Sequence, residues 1–469
     1  MELTRRDVLK LAGGAIVASY VPAVAIERSP VGYLSYLPIR RLQPGRAEAE
    51  LIAMPALASV AGTTANLWTY NGTFPGPVLV VREGERVRVR FRNRLSEPTN
   101  VHWHGLHIPP SVDDPFLMVA PGETVDYEFV IPNGSAGTYW YHPHVHGRVA
   151  QQLFAGLAGA VVVKGPMDYS RELRRAEEYT LVFKDITLAA GGVAAHTPFD
   201  WMNGKEGELL LVNGALQPTL SPRRSLLRLR LLNASNARYY RLSLEGHDLH
   251  LIATDGGLLA APVAVPELLL APGERSEVLV QLQGVGEFRL LNLPYDRGTA
   301  MMGGMHRNAG RGTLATTQTL LTISSSGVAR PTLPRRLCVV EALAPGAASV
   351  RRRLVLSEGM MMGTGFFING KTFDPSRTDI AGRLGDVELW EIENRGRMDH
   401  PFHLHTYPFQ VLSRNGVPEP FVAWKDVVNV RAGEIVRLAV ALRDFVGRTV
   451  FHCHIVEHED RGMMGVLAV

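Results

Sequence analysis

Cysteine is nearly missing: the 469 residues contain two, Cys338 and Cys453. A disulfide-stapled scaffold is thereby excluded, and a chain of this length buries about 75% of its unfolded surface without staples. Long apolar runs are missing too. The longest, residues 11–25, falls short of the ~20 residues that span a bilayer, so a polytopic membrane protein is excluded. Charge of one sign is not in excess, with Lys+Arg 49 against Asp+Glu 45 and a net charge of +4. The basic residues are scattered, as on a solvated surface, and form no run that would track a nucleic acid. With 46% hydrophobic and 20% charged residues the chain is neither disordered nor collagen-like. What it does have is 46 Gly and 30 Pro, suited to many turns, together with 16 His and 14 Met.

The N-terminus reads as an address. Thr4-Arg5-Arg6-Asp7-Val8-Leu9-Lys10 precedes the apolar stretch, and Ala23-Val24-Ala25 is a small-residue cleavage site. Residues 1–25 resemble a twin-arginine signal peptide, which predicts a periplasmic or other extracytoplasmic mature protein.

Three segments of the remaining chain read alike. Ala120-Pro121-Gly122-Glu123, Ala271-Pro272-Gly273-Glu274 and Arg431-Ala432-Gly433-Glu434 each feed an alternating strand. Asn-Gly recurs at Asn71, Asn213 and Asn369, each followed by a strand running into a second asparagine, Asn93, Asn233 and Asn394. A unit of about 150 residues is present three times. Short alternating strands broken by Gly and Pro predict an all-β chain of three Greek-key β-sandwich domains. They are expected at 45–168, 169–325 and 350–469, with a linker at 326–349.

The chemistry-bearing residues follow the landmarks of the first and third copies. Four pairs occur: His102-Trp103-His104, His142-Pro143-His144, His403-Leu404-His405 and His452-Cys453-His454. Residues i and i+2 of a strand point to one face, so each pair presents two imidazoles to one site. Eight imidazoles suit a cluster of two or three metal ions, and imidazole alone accepts Cu, Zn, Fe or Ni. Cys453 narrows the choice. Strand alternation turns it away from His452 and His454, while His400 has the parity opposite to His403 and His405. With His458 and Met463 beyond, these residues make a His₂Cys set with a weak axial thioether, the ligand set of a blue-copper electron-transfer site. Zinc is redox-inactive and would gain nothing from the short covalent connection between the two sites.

These four motifs, above all HPFHLH and HCHIVEHEDRGMMG, resemble those of the multicopper oxidases, and the resemblance covers essentially the whole mature chain. It is strongest to three-domain bacterial laccases and to the cuprous oxidases of copper tolerance. The resemblance implies three cupredoxin domains and four Cu ions. Type 1 copper would take His400, Cys453, His458 and axial Met463; type 2 copper His102 and His403; the two type 3 coppers His104, His142, His144, His405, His452 and His454. It implies oxidation of phenols, aromatic amines or Cu(I) one electron at a time, with O₂ reduced to two waters by four electrons and four protons. An axial methionine implies a modest type 1 potential.

Asp113 and Glu459 match acids that serve proton delivery in this family, with Asp114 and Asp460 as weaker candidates. His146, Trp103 and Trp140 are expected to be structural, His107 to lie at the surface near the same loop, and Cys338 to be idle. Met301, Met302 and Met305 beside His306, and Met360, Met361 and Met362, form soft-ligand segments that resemble Cu(I)-binding loops over the type 1 site; Met398 matches a methionine that helps hold Cu(I) there. They predict an additional Cu(I) substrate site. The competing readings are a dedicated cuprous oxidase, a bilirubin- or ferrous-type oxidase, and a protein that mainly sequesters copper. A structural division protein on the same fold would have lost the ligands.

Overall fold

The strand Arg86–Asn93 shows how local sequence makes the fold. Its arginines alternate with Val87, Val89 and Phe91, so one face is solvated and the other enters the core. In the computed structural model, which describes residues 34–300, 316–327, 332–344, 346, 350–359 and 365–469, such strands dominate and helices are short. The expected leader, Met301, Met302, Met305, His306 and Met360, Met361 and Met362 lie outside the described residues. No helix among the described residues is long and apolar enough to cross a membrane.

One three-strand arrangement recurs three times. Arg46–Val60 runs parallel to Arg86–Asn93, which pairs antiparallel with Thr124–Val130. Glu177–Ile186, Leu226–Asn233 and Arg275–Gln281 repeat it. So do Arg351–Gly359, Val387–Asn394 and Ile435–Ala441. A second sheet packs on each, and the side chains between the two sheets form three separate apolar cores. The architecture is therefore all-β, as the strand spacing predicts. The first sheet begins at the strand Arg40–Gln43, ahead of the boundary expected at residue 45.

The sequence landmarks hold these sheets together. Asn71, Asn213 and Asn369 adopt φ of 53°, 53° and 54°. Each side chain accepts from one backbone N–H of the preceding strand, Ile52, Val182 or Val355, and donates to a carbonyl two residues earlier. Asn93, Asn233 and Asn394 each donate twice to loop carbonyls, and Glu123, Glu274 and Glu434 each accept the N–H three residues earlier in their turn. A short polar side chain tolerates the left-handed conformation, and here each also ties its turn to a strand 14 to 33 residues away.

The middle unit breaks the alternation. Every residue of Leu226–Asn233 is buried, because its outer face meets the first unit. There Arg228 and Arg230 pair with Glu277, Asp168 and Glu178, while Thr138 of the first unit donates to Glu277. The expected linker is docked: Leu337 enters a cluster with Leu173, Ile252 and Leu279, and Leu343 packs on Ala439 and Ala441. Cys338, carried on it, is exposed.

Candidate metal centre

The strands of the first and third units converge on one buried cluster. His102 and His142 form an isolated antiparallel bridge in the first unit, and His403 pairs with His452 between neighbouring strands of the third. These equivalent positions bring all eight paired imidazoles together between the two units. His102 Nε2 lies 3.2 Å from His403 Nε2, His144 Nε2 lies 3.2 Å from His452 Nε2, and His405 Nε2 is 3.1 Å from the same atom. His104 Nδ1 faces His142 Nε2 at 3.3 Å. Three donor groups result: His102, His104 and His403; His104, His142 and His454; His144, His405 and His452.

Several of the outward nitrogens are held by the protein. His102 Nδ1 lies 2.9 Å from both oxygens of Asp113, which also accepts from the Trp103 N–H at 2.8 Å. His403 Nδ1 donates to the Asp426 carbonyl at 2.8 Å, His142 Nδ1 to the Pro143 carbonyl at 2.9 Å, and His452 Nδ1 to the Cys453 carbonyl at 3.0 Å. Such contacts fix ring orientation and tautomer, leaving the other nitrogen free to bind a metal.

Cys453 belongs to a second group. Its Sγ lies 3.4 Å from His400 Nδ1 and 3.7 Å from His458 Nδ1, and the two Nδ1 atoms are 3.3 Å apart. Met463 is buried beside them, its carbonyl accepting the Cys453 N–H and its N–H donating to the His458 carbonyl. His452 and His454, on either side of Cys453, belong to the first cluster, as strand parity requires.

The donors suit copper on physical grounds. Burial and mutual repulsion push the His102, His104, His142, His144, His403, His405, His454 and His458 imidazoles well below their usual range, and burial pushes His452 down to about 4. They are neutral ligands. Both nitrogens of fully buried His454 lack a hydrogen-bond partner. Burial pushes the Cys453 thiol up, so a cation is needed to ionise it. A set of buried, neutral imidazoles, one with both nitrogens unpartnered, together with one thiol matches copper chemistry.

Glu459 lies at the cluster edge, its oxygens 3.3 Å from His144 Nε2 and 3.2 Å from His452 Nδ1. Burial, then Asp460 and Glu457, raise its carboxyl well above the ordinary range. Asp460 accepts three N–H groups at the start of the helix Val149–Phe154, and burial pushes it up to about 7. Asp114 accepts the Phe116 N–H. His146 is exposed and packs on Phe373, and Trp140 stacks on His142. His107, expected at the surface, is half-buried and joins the first unit to the third through the Thr406 carbonyl and Asp444. Met398 is buried in the third core.

Three residues carry no motif signal. Glu358 holds His400 Nε2 at 3.0 Å; Asp426 holds His104 Nε2 at 3.0 Å; Arg275 grips Asp426 from the middle unit. Each is brought in from a segment remote in sequence from its partner.

Comparisons with known proteins agree with this geometry. Family models described as multicopper oxidase match residues 54–168, 201–309 and 347–469. The chain is 32% identical over 421 residues to the multicopper oxidase mco of Staphylococcus haemolyticus, covering 86% of this chain and 84% of that protein. It is 30% identical over 493 residues to the cell division protein FtsP of Shigella dysenteriae, covering 100% and 99%. A solved multicopper oxidase from Campylobacter jejuni, described as a metallo-oxidase, superposes with a TM-score of 0.85 at 34% identity, covering 94% of this chain and 95% of that one. With its three matched segments, its three sandwiches of cupredoxin type and its buried copper-type donors, the chain is an oxidoreductase of the multicopper oxidase family.

Proposed function

We propose that this protein is a laccase-type oxidase that couples one-electron oxidation of phenols, aromatic amines and Cu(I) to four-electron reduction of O₂ to water. The observation that carries the reading is the placement of Cys453 in one donor group and of its covalent neighbours His452 and His454 in the other. His400, Cys453 and His458, with Met463 beside them, would hold type 1 copper; His102 and His403 would hold type 2; His104, His142 and His454, and His144, His405 and His452, would hold the type 3 pair. Bound copper supplies the one-electron redox chemistry and the place where O₂ is reduced.

The chain's own residues do the rest. The His452-Cys453-His454 segment is the shortest covalent link between the two donor groups. Asp113 orients His102 and lies 3.5 Å from His405 Nδ1, at one side of the cluster. Glu459, whose carboxyl burial raises well above the ordinary range, is placed to deliver a proton at the other side. Glu358 sits at the outer nitrogen of His400 and fixes that ring. The twin-arginine pattern supports export of the folded protein from the cytoplasm.

The test is O₂ uptake by the copper-loaded protein with Cu(I) and with a dimethoxyphenol, Cys453→Ser serving as the blank. Wild-type turnover with both reductants, lost in the variant, is the expected outcome. Preference for Cu(I) by an order of magnitude or more in kcat/KM would make it a dedicated cuprous oxidase. Four bound coppers without O₂ consumption would sink the oxidase reading and leave sequestration.

A further inference from the structure

Among the described residues the middle unit supplies none of the grouped histidine and cysteine donors, yet two of its residues reach the imidazole cluster or the carboxylate behind it. Arg275 is fully buried. Its Nη1 and Nη2 donate to the two oxygens of Asp426 at 2.7 and 2.6 Å. Its remaining donors go to the carbonyls of Thr138, Gly273 and Asp255. The guanidinium is thus saturated and locked, joining all three units at one point. Asp426 in turn faces the cluster, with Oδ1 3.0 Å from His104 Nε2 and 3.5 Å from His403 Nδ1.

The consequence is visible in His104. Six rings of the cluster, His102, His142, His144, His403, His405 and His452, turn Nε2 toward a neighbouring ring. His104 turns Nδ1 inward instead, because Asp426 occupies its Nε2. The local backbone is shaped for this contact. Gly105, at φ +85°, lies so close to Arg275 and Asp426 that a side chain there would collide with both. Gly273, at φ +82°, lets the middle unit's turn approach His454; a Cβ would stand 2.8 Å from its ring carbon Cδ2.

Resting on the multicopper oxidase reading, we propose that Arg275 is a positioning residue for the trinuclear centre: through a bidentate clamp on Asp426 it fixes His104 as the ligand that presents Nδ1. The middle unit has become the brace of a cluster whose histidines come from the other two. The planar fork matters here, because it fills both carboxylate oxygens and leaves Asp426 one orientation; a lysine supplies the charge without that geometry.

The experiment compares copper retention by the loaded wild-type protein and by Arg275→Met, Arg275→Lys and Asp426→Asn. A Cu chelator is titrated while type 1 absorbance and the type 2 electron paramagnetic resonance signal are followed. Trinuclear copper in Arg275→Met and Asp426→Asn should be released at about 10- to 100-fold lower chelator, the usual effect of removing a support behind a metal ligand, with type 1 absorbance unchanged. Arg275→Lys should fall between. Wild-type release midpoints and type 2 spectra in the variants would overturn the clamp, as would parallel loss of type 1 and trinuclear copper, the mark of a merely structural role. If Arg275→Met does not fold, the near-isosteric Asp426→Asn decides alone. A wild-type protein that takes up no trinuclear copper would overturn the oxidase reading itself, whereas normal wild-type loading with unaffected variants overturns only the clamp.

Discussion

Asp113 shows how much one buried carboxylate can organise. It receives the His102 ring and the Trp103 N–H and stands beside His405, so it bridges rings from the first and third units. Asp113→Asn keeps the size but loses acceptor capacity and charge. Its kcat should fall about 10- to 100-fold, while the rate of anaerobic reduction of the type 1 site, followed by its absorbance, stays at the wild-type value. Equal loss in both measurements would place Asp113 in electron entry rather than at the oxygen side. Its spacing from His102 makes it readable as a candidate, as the position after His458 does for Glu459. Asp426 and Glu358 carry no such mark, since their partners His104 and His400 lie 322 and 42 residues away.

At the level of elements, Leu226–Asn233 departs most from simple patterning. An alternating strand of the same repeat, Arg86–Asn93, leaves its arginines in water, but here Arg228 and Arg230 are 3% and 0% exposed. Charges so buried require partners. Burial works against ionisation of Glu178, yet Arg230, Arg228 and Lys164 hold its carboxyl down to about 2. An unfolded glutamate titrates at about 4.3, so the folded state favours the carboxylate. The contribution to stability is full above about 4.3 and is lost as pH falls toward 2, because the unfolded chain binds the proton first. The Tm of Glu178→Gln should therefore depend less on pH than wild type across that window, by scanning calorimetry of the copper-free protein. Parallel Tm profiles would remove Glu178 from the acid response.

The whole molecule is tied together at the cluster. His102, His104, His142 and His144 come from the first unit and His403, His405, His452 and His454 from the third, so a bound metal joins units that otherwise fold around separate cores. A ligand that binds only the native state stabilises it, by about 2.7 kcal/mol per site at 100 times its Kd. Chelating copper should lower the Tm. Most of the drop should persist in Cys453→Ser, which keeps the inter-unit donors, and shrink in His403→Ala, which does not. A drop abolished by Cys453→Ser would mean that the type 1 group, inside one unit, carries the stabilisation.

The three-fold repeat, the all-β class and the division of histidines around Cys453 were all legible in the chain. They depend on interactions whose period is local: alternation along a strand, an asparagine bonding its own turn, a cysteine between two histidines. The partition of the four pairs among donor groups was not legible from spacing, and it entered only through family resemblance. His102 and His104 leave one short segment with their rings turned differently, because each meets a partner elsewhere, Asp113 for one and Asp426 for the other. Nor does any pattern disclose that the middle unit reaches the carboxylate behind His104. Arg275 and Asp426 are 151 residues apart, and their attraction acts only once three sandwiches have packed and removed the water between them.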